Sequence, residues 1–332
     1  MTKPTDIPVF DDILAARERI SGEAARTPLL RSAFLDEVTA GTILIKPEVL
    51  QRTGSFKFRG AFNRLSMIPV QDRAKGVVAC SSGNHAQGVA EAARLLGIPA
   101  TIVMPFDAPA LKKARTERSG AMVVNYTRGV ENRDEVAAKI VAETGATFIH
   151  PYNDPGVIAG QGTAGLEIAE QAKELGLAPE AMLTCTGGGG LTAGIALALE
   201  QAMPACAIYP VEPEGFDDYA RSLDAGSRVA NPSAVGSICD AILTETPGDV
   251  GFAITSRRAE RGLVVSDAEA LAAVAFAYNE LKLVVEPGGA VALAALLSGK
   301  LDARGKCVAI ILSGGNIEPE MMMQALAGRG VP

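Results

Sequence analysis

The stretch AMLTCTGGGGLTAGIALALEQA, residues 181–202, opens on five residues of strand character, crosses four consecutive glycines and closes on a run with helical apolar spacing. Strand, tight loop and helix in that order form half of a β-α-β unit, and working outward the same alternation recurs along the chain. Further strands are expected at TILIK (42–46), GVVAC (76–80), ATIVM (100–104), AMVVN (121–125), TFIH (147–150), CAIYPV (206–211), GLVV (262–265) and CVAIIL (307–312), with helical patterns between them, such as HAQGVAEAARLLG (85–97). The fold class is therefore α/β, with open, twisted, mostly parallel sheets flanked by helices. Nine strands exceed one modest sheet, so two units are expected. PYNDPG (151–156) is the strongest turn cluster and marks a crossing between them. Residues 75–152 are expected to form a small domain, and residues 1–74 with 153–332 a large one.

In open parallel sheets ligands gather beyond the carboxyl ends of the strands, where loops lead into helix N-termini. Three loops stand directly after strands: CSSGNHAQ (80–87), TGGGGLTAG (186–194) and LSGGN (312–316). Their small residues allow close approach to the backbone, and free N–H groups at a helix start favour an anion such as phosphate.

Bulk properties exclude other classes. The 332 residues are 48% apolar, enough for a large core, and the net charge of −7 without a basic block gives no footprint for nucleic acid or an anionic membrane. No run approaches the roughly 20 apolar residues of a membrane span, and MTKPTDIPVFDD is polar and acidic where a secretory signal would be basic and then apolar. A cytoplasmic protein is expected. The five cysteines are scattered without a Cys-x-x-Cys pair and read as buried thiols.

The glycine loop has two readings. Gly188, Gly190 and Ala193 fit a G-x-G-x-x-A dinucleotide fingerprint with Glu212 at the end of the next strand, which would make a nicotinamide dehydrogenase. That reading leaves TGSFKFRGA (53–61) unexplained. There Lys57 stands between Phe56 and Phe58, where lost hydration would lower its pKa and free an amine able to form a Schiff base. The plain alternative is a lysine that snorkels from an early helix turn while the phenylalanines pack in the core. Joined to a phosphate-shaped loop, Lys57 suggests pyridoxal phosphate, whose aldehyde needs an amine and whose phosphate needs backbone donors. A non-catalytic metabolite sensor on the same fold is the third reading.

The motifs SFKFRGA, SSGNHAQGVA, TGGGGL, VEPEGFDD, EPGGA and LSGGN, in this order along nearly the whole chain, resemble the fold-type II pyridoxal phosphate enzymes, specifically the serine racemase and threonine/serine dehydratase group, which includes 3-hydroxyaspartate dehydratases. The resemblance implies a tryptophan synthase β-like fold and pyridoxal 5'-phosphate as cofactor. By this match Lys57 is the Schiff-base lysine and Phe56 packs against the cofactor ring. Asn84 meets the ring hydroxyl, Gly187, Gly188, Gly189 and Gly190 cradle the phosphate, Leu191 opens the following helix and Ser313 faces the pyridine nitrogen. A serine there leaves the ring a weaker electron sink than an aspartate would, favouring elimination. The implied reaction is removal of the α-proton by Lys57, loss of a β-hydroxyl and hydrolysis of the released enamine to a 2-oxo acid and ammonia.

The same match places Ser81, Ser82, Asn84, His85 and Arg133 around the substrate. Ser82 resembles the serine that exchanges the α-proton in serine racemase, so racemase side activity is implied, and capping of the helix that starts near Asn84 is its plain reading. Arg133 matches an arginine that meets the distal carboxylate of a dicarboxylate, which would admit 3-hydroxyaspartate beside threonine and serine. Its plain reading is an exposed helix arginine among Glu131, Asp134 and Glu135. Glu212, the carbonyl of Phe216 and Asp218 resemble the group's divalent-cation site, where oxygen ligands suit Mg²⁺ or Ca²⁺ and admit Mn²⁺, and acids in a helix first turn are the plain alternative. A homodimer is expected from the same likeness. Beyond LSGGN about one helix remains, so the regulatory domain of biosynthetic threonine dehydratases is not expected.

Overall fold

The computed structural model describes residues 7–108, 110–233 and 235–328. The outer ends of the expected large domain, 1–6 and 329–332, lie outside them. In chain order the elements are α1 (Phe10–Ile20), α2 (Ala33–Thr39), β1 (Thr42–Pro47), α3 (Lys57–Ser66), β2 (Val77–Cys80), α4 (Asn84–Leu96), β3 (Ala100–Pro105), α5 (Ala110–Arg118), β4 (Met122–Tyr126), α6 (Arg133–Thr144), β5 (Thr147–Phe148), α7 (Pro155–Glu174) and β6 (Ala181–Cys185). There follow α8 (Gly190–Ala202), β7 (Ala207–Pro213), α9 (Asp218–Ala225), α10 (Asp249–Thr255), β8 (Leu263–Val265), α11 (Asp267–Phe276), a π-turn (Ala277–Leu281), α12 (Pro287–Leu297), β9 (Cys307–Leu312) and α13 (Pro319–Ala327).

All nine expected strands form, and they sort into two sheets. One has the order β1-β9-β6-β7-β8 and the other β4-β3-β2-β5, and every ladder within them is parallel. The β-branched runs explain this choice, since strands covered by helices on both faces read as continuous apolar segments; β6 and the last five residues of β9 are buried throughout. In the smaller sheet the pleat divides two cores: Val77 and Ala79 face α3 and α4, while Val78 and Cys80 face α6. β5 stops two residues earlier than the sequence pattern suggests because His150 Nδ1 accepts the backbone N–H groups of Tyr152 and Asn153 and turns the chain.

Two features set the positions of the helices that carry the site. First, α3, α7 and α8 meet backbone to backbone: a methyl group on Gly160 would lie 2.6 Å from the Gly60 Cα, and one on Gly194 2.6 Å from the Gly162 nitrogen. Second, Arg59 of α3 is fully buried and pairs with Glu48 (2.7 Å) and Glu167 of α7 (2.7 Å), and Lys46 of β1 joins Glu167 at 2.6 Å. A buried charge in such a set cannot lose its partner without leaving an uncompensated ion, so the network holds α3 to α7 in one register. Among the described residues no helix is long and apolar enough to cross a membrane.

Candidate active site

Lys57 is the first residue of α3, with Phe56 at the cap and the Phe56 N–H donating to the Ser313 carbonyl at 3.1 Å. The two phenylalanines divide the labour. Phe58 points into the core against Phe62, ring centroids 5.5 Å apart, whereas the Phe56 ring lies under the lysine with its centroid 5.0 Å from Nζ. Lys57 does not snorkel outward: Nζ donates to the Pro151 carbonyl at 3.0 Å. Burial strips the ammonium of water and lowers its pKa to about 8, with the Glu286 carboxylate pulling in the opposite direction.

The glycine loop lies between two tyrosines. A side chain on Gly188 would run into the Tyr152 ring and one on Gly189, whose φ is +87°, into the Tyr219 hydroxyl; on Gly187 and Gly190 it would come within 2.6 Å of the Ile242 carbonyl oxygen and 2.8 Å of the Tyr152 carbonyl oxygen. Only glycine fits these positions. Among the described residues no protein acceptor takes the N–H groups of Gly187, Gly188, Gly189, Gly190 or Leu191, a run of donors at the start of α8 that suits a phosphate.

The Ser81–His85 loop enters α4. Ser81 Oγ accepts the Gly83 N–H at 3.1 Å, and Gly83 itself is the cap, so Ser82 does not cap α4 and its hydroxyl has no protein partner among the described residues. The Asn84 amide is bonded on both ends, to Glu286 Oε1 at 2.5 Å and to Asn316 Nδ2 at 2.7 Å. His85 Nε2 meets the Ile149 carbonyl at 3.0 Å and its Nδ1 is buried without a partner. Burial, and then the Lys57 charge, push His85 down to about 3, so the ring is neutral and Nδ1 can only accept. Ser313 is buried at the end of β9 beside Gly314. Arg133 is near enough for its charge to act on Tyr152 and His150, without a hydrogen bond to either among the described residues. The Cys80 thiol donates to the Arg133 carbonyl at 3.4 Å, but the guanidinium side chain is 58% exposed and reaches only toward Asp134 at 3.7 Å.

At the other end of the loop region, both Glu212 oxygens accept backbone N–H groups at 2.8 Å, from Tyr219 and Ala220 at the start of α9. Asp218 Oδ1 takes Asn231 Nδ2 at 2.6 Å, and Oδ2 is buried without a partner. Burial and then the Asp218 charge hold Glu212 well above the usual carboxylate range; burial pushes Asp218 up to about 6. Two buried carboxylates, one with an unmet oxygen, fit a hard cation. Among the described residues no third acidic, histidine or cysteine side chain joins them, so the Phe216 carbonyl would have to complete the ligand set.

Five site residues carry no assignment in the motif reading: Pro151, whose carbonyl receives Lys57, Tyr152 and Tyr219 beside the glycine loop, Glu286 of the EPGGA motif and Asn316 of LSGGN. The quoted motif was the only signal for Glu286.

Residues 20–314 match the family model for "Pyridoxal-phosphate dependent enzyme". The chain belongs to the pyridoxal-phosphate dependent enzymes. It is 45% identical over 319 residues to an L-threo-3-hydroxyaspartate ammonia-lyase of a Pseudomonas species, covering 96% of this chain and 98% of that one. It is 40% identical over 314 residues to a serine racemase of Schizosaccharomyces pombe, with 95% and 96% covered. Among solved structures, the threonine deaminase of T.th. superposes with a TM-score of 0.88 at 44% identity, covering 94% of this chain and 99% of that one. The two-sheet α/β fold is that of its fold-type II relatives. The buried amine of Lys57 and the N–H groups from Gly187 to Leu191, without protein acceptors among the described residues, would fit the aldehyde and the phosphate of pyridoxal phosphate, and the family match leaves the dinucleotide reading of the glycines without support.

Proposed function

We propose that this pyridoxal-phosphate dependent enzyme is an ammonia-lyase that converts a β-hydroxy amino acid, threonine, serine or 3-hydroxyaspartate, to a 2-oxo acid and ammonia. The observation that carries the reading is Lys57: a desolvated amine over the Phe56 ring, at the head of a helix that packs on α7, the helix against which α8 with its phosphate-type loop also packs. When bound, the cofactor supplies an aldehyde for the substrate's amino group and a ring that draws electrons from the α-carbon. Everything else falls to the chain. With a pKa near 8, Lys57 is partly unprotonated in mildly alkaline solution and is fit to accept the α-proton. The N–H groups from Gly187 to Leu191 would hold the phosphate, and Asn84 would hold the ring oxygen. Ser313 would offer the ring nitrogen a neutral hydroxyl, so the ring would draw electrons less strongly than beside an aspartate, which suits departure of the β-hydroxyl. Ser81, Ser82, Asn84 and His85 line the substrate side; His85, neutral with a bare Nδ1, accepts a hydrogen bond and does not supply a proton.

The unpartnered Ser82 hydroxyl supports a second activity, racemisation, by giving and taking the α-proton from the side opposite Lys57. Relatives named for hydroxyaspartate lysis and for serine racemisation match at similar identity, in keeping with both. Arg133, exposed but with its charge acting on Tyr152, would favour a dicarboxylate by meeting the distal carboxylate. Glu212, the Phe216 carbonyl and Asp218 would hold Mg²⁺, Mn²⁺ or Ca²⁺, ordering α9 behind the glycine loop and away from the substrate. Residues 75–152 form the small domain and the two flanking segments the large one, in a cytoplasmic homodimer.

A panel of L- and D-serine, L-threonine and the 3-hydroxyaspartate isomers, scored for oxo acid and for inverted enantiomer, tests the function. Ammonia release from a hydroxy amino acid is the expected result, and Ser82→Ala is expected to abolish inversion while elimination persists. Borohydride reduction and peptide mapping should label Lys57; a labelled peptide elsewhere would overturn the reading.

A further inference from the structure

Glu286 of EPGGA and Asn316, the last residue of LSGGN, have no task in the mechanism above, and both hydrogen-bond Asn84. Four contacts determine which way round the Asn84 amide sits. A backbone carbonyl can only accept a hydrogen bond and a guanidinium can only donate one. Asn316 stands between one of each: its Nδ2 donates to the Thr53 carbonyl at 2.8 Å and its Oδ1 receives Arg115 Nη1 at 3.4 Å. That orientation makes the Asn84 atom facing Asn316 Nδ2 the oxygen. The Asn84 nitrogen must then face Glu286.

Glu286 is itself held firmly. It is 5% exposed, its N–H donates to the Gly314 carbonyl at 3.0 Å, and its Oε1 lies so close to Gly314 that no side chain would fit there. An asparagine amide is nearly symmetric in shape, and only its partners distinguish the end that donates from the end that accepts. Turned over, Asn84 would set its oxygen against the Glu286 carboxyl and would offer a second acceptor, where a donor is needed, to the ring oxygen of the cofactor.

We propose that Glu286 is the positioning residue for Asn84: it takes one of the two Nδ2–H donors and so presents the other to the cofactor's ring oxygen. The inference rests on the reading of Asn84 as a ligand of that ring. Charge around Glu286 comes from Lys57 on α3, Lys112 on α5 and Asp240 in the loop before α10; among the described residues none of these is hydrogen-bonded to its carboxyl, and Asn84 is the side chain that is.

A double-mutant cycle on cofactor affinity tests this, with pyridoxal phosphate titrated into the cofactor-free wild type, Asn84→Ala, Glu286→Ala and the double variant, alongside the melting temperature of each. Glu286→Ala is expected to weaken binding about tenfold, the scale of one buried hydrogen bond. In the Asn84→Ala background it should cost nothing further, and Glu286→Gln, which can offer an amide oxygen at the same point, should restore affinity to within about threefold. If Glu286→Ala does not fold, Glu286→Met keeps the bulk, removes the acceptor and serves in the same cycle. An equal loss in both backgrounds overturns the proposal, as does a Gln variant no better than Ala. Asn84→Ala without effect overturns the reading of Asn84 and this inference together. A weakened Asn84→Ala beside an unaffected Glu286→Ala overturns this inference alone.

Discussion

Lys57 shows what a reactive amine demands of the fold around it. Its ordinary pKa of 10.5 falls to about 8 because the folded chain withdraws water from the ammonium, so between about pH 8 and 10.5 the unfolded state binds a proton that the native state has released. The cost to stability is therefore present in full below about pH 8, shrinks as pH rises, and is gone at the unfolded value. Lys57→Met keeps the length and discards the charge. In the cofactor-free protein it is expected to raise stability at pH 7 by about 2–3 kcal/mol, allowing for the part of Lys57 that stays exposed, and by almost nothing at pH 10.5. Urea unfolding at the two pH values reads this directly. A gain that is the same at both would mean that packing of the methionine, not relief of the charge, is responsible. The variant should also be unable to retain the cofactor covalently, so stability and function move in opposite directions at this residue.

At the scale of elements, the site depends on how closely α3, α7 and α8 approach, because Lys57 heads α3 and the phosphate loop heads α8. Gly160→Ala puts a methyl group 2.6 Å from the Gly60 Cα and 2.7 Å from the Arg59 carbonyl oxygen, both backbone atoms with nowhere to move. A loss of about 1–3 kcal/mol is expected, with a fall in cofactor affinity from the displaced Lys57. Denaturant unfolding with an unchanged m-value, paired with cofactor titration, checks both parts. Much of this layer was legible in the sequence. The strands Ala181–Cys185 and Cys307–Leu312 match their apolar runs residue for residue, and the three ligand loops announced themselves by small residues placed directly after strands. What pattern could not supply was pairing across the chain. Lys57 finds its acceptor 94 residues on, Asn84 meets Glu286 at a separation of 202 and Asn316 at 232, and nothing local in SSGNH or EPGGA specifies those meetings. The same holds for Arg133, whose neighbours in sequence forecast its exposed start on α6 while its distance from any substrate depends on tertiary packing. Likewise the shortened β5 reflects one imidazole nitrogen, His150 Nδ1, which strand propensity does not register.

At the scale of the whole molecule, the proposed homodimer would need an apolar surface, and exposed apolar side chains gather around α2 and α11. Phe34 of α2 stacks on Phe276 of α11 with ring centroids 5.9 Å apart, and the π-turn and α13 pack against α11 as well. Phe34, Val38, Tyr278 and Met323 project from these neighbouring elements, each more than a third exposed. Val284 and Leu50 are exposed as well, and a methyl group added at Gly315 would touch both the Val284 carbonyl and the Val49 side chain. Large apolar side chains grouped in this way favour a partner, and a second copy related by a two-fold axis covers the same patch on both chains at once. Such an interface would also brace the segment from Leu50 to Ser55 that leads into Lys57, which ties assembly to the site. Phe34→Glu with Tyr278→Glu is therefore expected to reduce the mass in sedimentation equilibrium from twice 34.3 kDa to 34.3 kDa, with the far-ultraviolet circular dichroism preserved and cofactor affinity lowered. A wild type that sediments as a single chain, or a doubly charged variant that still dimerises, would remove this face as the interface. A monomeric variant with undiminished cofactor affinity would retain the face and remove its link to Lys57.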